Sequence, residues 1–171
     1  LSTLLALAGP NGRIVGMTDR IAIAPVPEAR RALLDAMAQA YFREVLPEGP
    51  VYYPAALDRY WIERGRHPYL VTNDGVPIGF ALVWNHEDGT HEMVEFTIQP
   101  AFRHRGIGRA AAVMIFEALG GDWVLGVAAH PPGAMDFWRA CLGEAENIFD
   151  LTERPPRSAS QAGSFSFRVA R

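Results

Sequence analysis

An arginine-rich turn carrying two glycines, Arg103-His104-Arg105-Gly106-Ile107-Gly108-Arg109, restricts what this chain can fold into more than any other feature. Ahead of it, His91 to Ile98 has the composition of a strand. Behind it, Ile107 to Leu119 is alanine-rich, with Val113, Ile115 and Phe116 supplying bulk, and reads as a helix stopped by Gly120-Gly121. Glycine at 106 and 108 lets the backbone bend and approach a ligand with no Cβ in the way. The first turn of the helix presents unpaired N–H groups, and its dipole favours an anion there. Arg103, Arg105 and Arg109 add charge-assisted donors suited to phosphate oxygens. Strand, turn and helix in this order describe a phosphate cradle; a tight turn before a solvated helix start is the plainer alternative. The passage is neither the Gly-x-Gly-x-x-Gly of dinucleotide-binding folds nor the Gly-Lys-Ser/Thr of a P-loop.

Around this turn the pattern alternates between helix and strand. Ile21 to Ala24 favours a strand, and a helix is predicted from Glu28 to Val45, with Leu34, Met37, Ala38, Tyr41 and Val45 at helical spacing. Pro47 and Pro50 stop it, and a shorter helix is predicted over Ala55 to Glu63. Tyr69–Thr72 and Val76–Trp84 form a hairpin about Asn73-Asp74-Gly75, and His91–Ile98 continues the meander. Trp123–Ala129 follows as an apolar strand, then a helix over Ala134–Leu142, then strands at Ile148–Leu151 and Phe165–Val169. The Pro-, Ser-, Arg- and Gly-rich stretch Thr152–Gly163 reads as the loop between the last two. The order gives an α/β sandwich built on a central sheet.

With 171 residues there is room for one well-cored domain. Met17-Thr18-Asp19-Arg20 reads as an ordinary start, which makes residues 1–18 an N-terminal extension ahead of a single domain at 19–171. The apolar run in the first nine residues has no positively charged leader, so it does not read as a signal peptide. A formal net charge of -3 gives no electrostatic case for nucleic-acid binding, and no apolar stretch is long enough to span a bilayer. The single cysteine, Cys141, excludes an internal disulfide, and a cytoplasmic location is expected.

The passage Ile98-Gln99-Pro100-Ala101-Phe102-Arg103-His104-Arg105-Gly106-Ile107-Gly108 resembles the entrance to the central helix of the GNAT (N-acetyltransferase) superfamily, Arg/Gln-x-x-Gly-x-Gly/Ala after a strand ending near proline. Ala134, Phe137 and Trp138 resemble the family's later Ala-x-x-Phe-aromatic helix. Gly121-Asp122-Trp123-Val124 and Phe137-Trp138-Arg139 are most similar to a poorly characterised bacterial branch. The resemblance covers residues 19–171 and is strongest over 92–143. It implies a GNAT-like mixed, mostly antiparallel central sheet flanked by helices, with the fourth and fifth strands splayed and Val127 facing Ile98. It also implies acetyl-CoA as co-substrate and no metal. Backbone groups of Phe96, Thr97 and Ile98 would pair with the pantetheine arm. The amides of Arg103, His104, Arg105, Gly106, Ile107, Gly108 and Arg109 would hold the pyrophosphate.

Two positions depart from the family. Pro131 stands where many members have asparagine, and Trp138 where many have the tyrosine that protonates the leaving thiolate. An indole N–H can donate a hydrogen bond but is no practical acid near neutral pH. For the base, Glu92 and Glu95 are the candidates. Strict alternation would put Glu92 with Val94, Phe96 and Ile98, and Glu95 on the other face with Met93 and Thr97. Glu92 matches the base position of the histone-acetylating branch. Glu95 matches an acidic, substrate-contacting position of some small-amine acetyltransferases.

The five histidines, at 67, 86, 91, 104 and 130, show no metal-ligand spacing. His130 reads as a loop residue near the substrate mouth or as a structural one, and Cys141 as a small buried hydrophobe. Tyr52, Tyr53, Tyr60 and Trp61, with Arg59, form an aromatic group suited to a cationic amine or to packing. The expected activity is acetyl transfer from acetyl-CoA to a primary amine of a small molecule, peptide or protein. The alternatives are a longer acyl group, an oxygen acceptor, or a CoA-binding regulatory or structural role without turnover. Oligomeric state is open, a homodimer included.

Overall fold

Leu34, Met37, Ala38 and Val45 recur at helical spacing, and they form the buried face of helix α1 (Arg31–Val45) in a computed structural model of the protein. The structure describes residues 16–17, 20–49 and 54–170. A 3₁₀ turn at Glu28–Arg30 leads into α1, so the helical stretch begins where Pro27 leaves the extended chain. Strands β1 (Gly16–Met17) and β2 (Ile21–Pro25) precede it. After it, a 3₁₀ turn at Pro54–Leu57 and helix α2 (Arg59–Ile62) replace the continuous helix predicted over Ala55 to Glu63. The chain continues as β3 (Arg66–Asn73), β4 (Val76–Asn85), β5 (His91–Ile98), α3 (Ile107–Leu119), β6 (Gly121–Ala128), α4 (Ala134–Gly143), β7 (Ile148–Arg154) and β8 (Gln161–Val169).

These strands form one sheet in the order β1-β2-β3-β4-β5-β6-β8-β7. Every pair is antiparallel except β5 with β6. The sheet is therefore mixed and mostly antiparallel, with helices on both faces. Neighbouring residues of one strand enter different cores, as the period of two demands. Leu70, Phe80 and Leu82 pack with Leu34, Met37, Ala38, Leu57 and Tyr60, beneath α1 and α2. Val71, Ala81 and Val83 pack with Ala111, Ile115, Phe116, Trp138 and Leu142, beneath α3 and α4. Gly16 and Met17 pair with Ile23 and Ala22, so the sheet reaches into the stretch read as an extension. The rest of residues 1–18 lies outside the described residues.

Turn chemistry fixes the connections. Asp74 and Gly75 carry φ of 50° and 78°, which the β3–β4 hairpin requires and which their side chains tolerate. The last hairpin is longer than predicted. Strands β7 and β8 extend into the stretch read as a loop, leaving only residues 155–160 as the connection. The pairing Arg154↔Ser164 shows why: Arg154 is exposed on the edge strand, and the buried Ser164 hydroxyl donates to Pro155 O at 3.0 Å. Among the described residues, no helix is long and apolar enough to cross a membrane.

Phe116 is fully buried, with ring centroids 4.8 Å from Trp123 and 5.0 Å from Phe167. Phe116→Ala is expected to cost about 3–5 kcal/mol in urea unfolding, because the removed ring leaves a cavity its neighbours cannot fill. A loss below about 1 kcal/mol would show that this core is loosely packed.

Candidate active site

Strands β5 and β6 run parallel, and their ladder is short. His91 pairs with Trp123, Glu92 with Val124 and Met93 with Leu125, and there it ends. Beyond Met93 the strands diverge, so the backbone of residues 94–98 turns an unpaired side towards β6. A cleft of about 700 Å³ opens there, lined by β5 from Met93 to Ile98, the glycine turn, the start of α4, and Tyr41 of α1. These are the two strands expected to splay; β1 adds one strand ahead of them. Opposite Ile98 the wall is Gly126 and Ala128, whereas Val127 is buried in the core. The Gln161 side chain from β8 packs over Gly126, where any Cβ would collide with it.

The glycine turn sits at the end of this cleft. Gly106 caps α3 with φ 75°, ψ -8° and no side-chain cap, and His104 also has positive φ, at 59°. The first helical bond of α3 is Ala110 N–H to Gly106 O at 3.0 Å. The amides of Ile107, Gly108 and Arg109 thus precede any intrahelical acceptor and carry the positive end of the dipole. Gly108 lets α3 approach closely, since a Cβ there would lie 3.3 Å from the Phe137 ring and 3.5 Å from Ile98 Cγ1. The arginine side chains are placed differently from the expectation. Arg103 donates through Nε to Ile98 O at 2.6 Å and through both terminal nitrogens to Glu44 of α1. That pair holds the Glu44 carboxyl below its ordinary range. Arg109 pairs with Glu144 and with its carbonyl oxygen. At this turn the backbone amides are open to a ligand, while the Arg103 and Arg109 guanidinium groups are engaged by Glu44 and Glu144.

Strict alternation fails in β5. Across the β4 ladder Leu82 opposes Glu95 and Val83 opposes Met93, which leaves Val94 as an extra residue, a β-bulge. The bulge shifts the parity of the strand. Met93, Phe96 and Ile98 pack beneath α3 and α4, while Val94 packs beneath α1. Glu92, opposite Trp84, and Glu95, opposite Leu82, therefore share the α1 face instead of lying on opposite ones. Their environments differ sharply. Glu92 accepts from His86 Nε2 at 2.9 Å and from Arg157 at 2.9 Å, and it does not line the cleft. Glu95 lines the cleft and accepts the Tyr41 hydroxyl at 2.6 Å. Burial raises the Glu95 carboxyl to about 7; the Tyr41 hydrogen bond opposes this and the charge of Glu92 adds to it.

Comparisons with known proteins bear on this fold. The model of the acetyltransferase (GNAT) family matches residues 31–143. The chain belongs to the GNAT family. No curated protein matches the sequence. Among solved structures, an acetyltransferase from Thermus thermophilus superposes at TM-score 0.66 with 16% identity, covering 88% of this chain and 97% of that one. The spermidine N-acetyltransferase of Vibrio cholerae, in complex with CoA and spermine, gives TM-score 0.65 at 11% identity over 89% and 96%. Diaminobutyrate acetyltransferase EctA of Paenibacillus lautus, in complex with L-2,4-diaminobutyric acid and coenzyme A, gives 0.62 at 13% over 87% and 95%. At these identities the likeness is one of fold.

The departures from other GNAT members take definite places. Trp138 is buried on α4, 5.5 Å edge-on from Phe96 and 5.0 Å from Phe137, so it packs the core and walls the cleft together. Pro131 and the exposed His130 line the cleft mouth. Cys141 is buried, and burial pushes its thiol up to about 12, as expected of a small core residue. The aromatic group of α2 turns out to be packing. Tyr60 is buried, the Trp61 indole donates to Val26 O at 2.9 Å, and neither lines the cleft. Tyr52 and Tyr53 lie outside the described residues. Among the described residues, no group of three His, Cys, Asp or Glu side chains could hold a metal ion. The sequence reading missed Tyr41 and Glu44 as site residues; they lie 54 and 59 positions from their partners, beyond any local pattern.

Proposed function

We propose that this GNAT protein transfers an acetyl group from acetyl-CoA to a primary amine, with Glu95 as general base. The observation that carries the reading is the break of the β5–β6 ladder beyond Met93, which opens the cleft that the glycine turn also lines. A pantetheine arm needs a strand edge to pair with, and the side of Phe96–Ile98 turned towards β6 is such an edge, with the Ile98 carbonyl already accepting from Arg103. A pyrophosphate needs converging N–H donors, and the turn from Arg103 to Arg109 supplies them at the N-terminus of α3. The residues present fit the group. When bound, acetyl-CoA supplies an activated thioester; orientation, water exclusion and proton removal fall to the protein.

An amine reaches the cleft mostly as its ammonium and must lose a proton before its nitrogen can bond to the acetyl carbon as the carbon–sulfur bond breaks. A carboxylate titrating near 7 is well matched to that task, since it is substantially ionised at neutral pH yet basic enough to accept the proton. Glu95 has this property and lines the cleft. Tyr41 does not replace the missing acid, because burial pushes its phenol well above the ordinary range. With Trp138 in the family's usual acid position, the thiolate leaves without a donor from that residue. Trp138→Phe is accordingly expected to keep a substantial turnover in the folded fraction. A loss far beyond the change in stability would assign the indole a chemical role.

Glu92, tied to His86 and Arg157, holds the β7–β8 connection to the start of β5. Glu92→Gln is expected to leave kcat within about threefold of wild type, since general-base loss would exceed tenfold. A larger fall at unchanged folded fraction would return the base assignment to Glu92. The reading as a whole is tested with a panel of small amines, amino acids and peptides, following CoA release and product mass together. Tight acetyl-CoA binding without product from any amine would favour a CoA-binding role without turnover.

A further inference from the structure

Helix α1 brings one hydroxyl to the carboxylate on which the proposed chemistry depends. Tyr41 donates to Glu95 Oε2 at 2.6 Å, a short bond of the charge-assisted kind. Its ring is clamped by Phe80, 5.6 Å away and edge-on at 89°, and by Phe42 at 5.1 Å. The direction of the hydroxyl is therefore fixed by packing. Both residues line the same cleft. Resting on the reading of Glu95 as base, we propose that Tyr41 is a positioning residue for the reaction: its hydroxyl anchors one oxygen of Glu95 and holds the carboxylate in its proton-accepting form. A carboxylate at the end of two methylene groups otherwise samples several rotamers, and anchoring one oxygen leaves the other to meet the acceptor.

The groups around Glu95 leave this role to Tyr41. Glu44, also on α1, is paired with Arg103 of the glycine turn. Glu92, three residues earlier on β5, repels a second negative charge and so opposes ionisation of Glu95. Tyr60 of α2 is itself buried, with its phenol pushed up to about 12. His130 lines the cleft from the segment between β6 and α4. Among the described residues only Tyr41 donates a hydrogen bond to the Glu95 carboxylate. Because the phenol stays protonated, it keeps an O–H to donate to Glu95 at neutral pH.

Removing the hydroxyl removes an interaction that favours the ionised carboxylate, so Glu95 should titrate higher in Tyr41→Phe. Loss of one charge-assisted hydrogen bond corresponds to a rise of about one pH unit. The test follows the Glu95 carboxyl carbon by NMR in full-length protein, its signal assigned by its absence in Glu95→Gln. The kcat profile is measured alongside at saturating acetyl-CoA and amine. The expected result is that the NMR titration and the acid limb of kcat move up together by about one unit. Turnover would then fall about fivefold at pH 7 and recover by about pH 9. A purely packing role for Tyr41 would lower kcat evenly or raise KM without moving either titration.

Phenylalanine keeps the clamped ring, and 3-fluorotyrosine at position 41 gives a second variant that retains the hydroxyl. Its more acidic O–H donates more strongly, so it should move Glu95 downward. An unmoved Glu95 titration in either folded variant would overturn the proposal. A Glu95 titration that moves while the kcat limb stays would instead overturn Glu95 as base, and the positioning role with it.

Discussion

Glu95→Gln is expected to lower kcat by about a hundred- to ten-thousandfold at pH 7, the range over which general-base assistance operates. Acetyl-CoA affinity should change little, because the glycine turn and the β5 edge would bind through backbone groups that the substitution leaves in place. The loss should shrink as pH rises and more of the acceptor is already a free amine. The variant should also be at least as stable as wild type above neutrality. The Glu95 carboxyl sits at about 7 in the folded protein against an ordinary 4.5, so its ionisation opposes folding as pH rises between those values. Glutamine carries no charge to desolvate, and its side-chain oxygen can still accept from Tyr41. Turnover near wild type in a folded Glu95→Gln would remove Glu95 from the chemistry. An equal loss of thermal midpoint at pH 6 and pH 8 would show that Glu95 is not the strained carboxylate described above.

The second large effect belongs to the cradle. A Cβ built on Gly106 meets no atom within 4 Å, so a larger side chain there has room in the free protein. The positive φ of 75° is the obstacle to the fold, and for valine it costs about 1–3 kcal/mol of backbone strain. The open space around that Cβ is the space an anion would occupy over the first turn of α3. Gly106→Val is therefore expected to fold with a lowered midpoint and to bind acetyl-CoA about a hundredfold more weakly, the loss of roughly two hydrogen bonds to a charged group. Calorimetric titration of wild type and variant measures this directly. Equal affinity for the two would place the pyrophosphate elsewhere.

The parts of this fold that rest on local chemistry were legible in the sequence. Helix α3 runs over Ile107–Leu119 as predicted, because glycines bracket an alanine-rich run at both ends. The Asn73-Asp74-Gly75 hairpin follows from the φ angles that only such residues adopt readily. The strand–turn–helix order was enough to place the glycine turn at the N-terminus of α3. Less visible was the β-bulge at Val94, since Glu-Met-Val-Glu-Phe carries no glycine or proline to mark it, and a bulge inverts every side chain beyond it. That single extra residue brought Glu92 and Glu95 to the same face and separated Phe96 from Val94. Tyr41 read as a core position of α1, because its spacing matched Leu34, Met37 and Val45. Its bond to Glu95 depends on how α1 crosses the sheet, which no local pattern encodes. The Arg103–Glu44 pair is hidden for the same reason, and it converted an expected phosphate ligand into a tie between α1 and the glycine turn.

The most direct measurement is the titration of the full-length wild-type protein with acetyl-CoA, with NAD and ATP titrated in parallel. The splayed strands and the backbone cradle predict saturable one-to-one binding of acetyl-CoA and a rise in thermal midpoint, since a ligand that binds only the native state stabilises it. They predict neither for NAD or ATP, which offer phosphates but no pantetheine arm to pair with β5. No binding of acetyl-CoA, or binding of all three ligands with similar affinity, would contradict the assignment of the cleft.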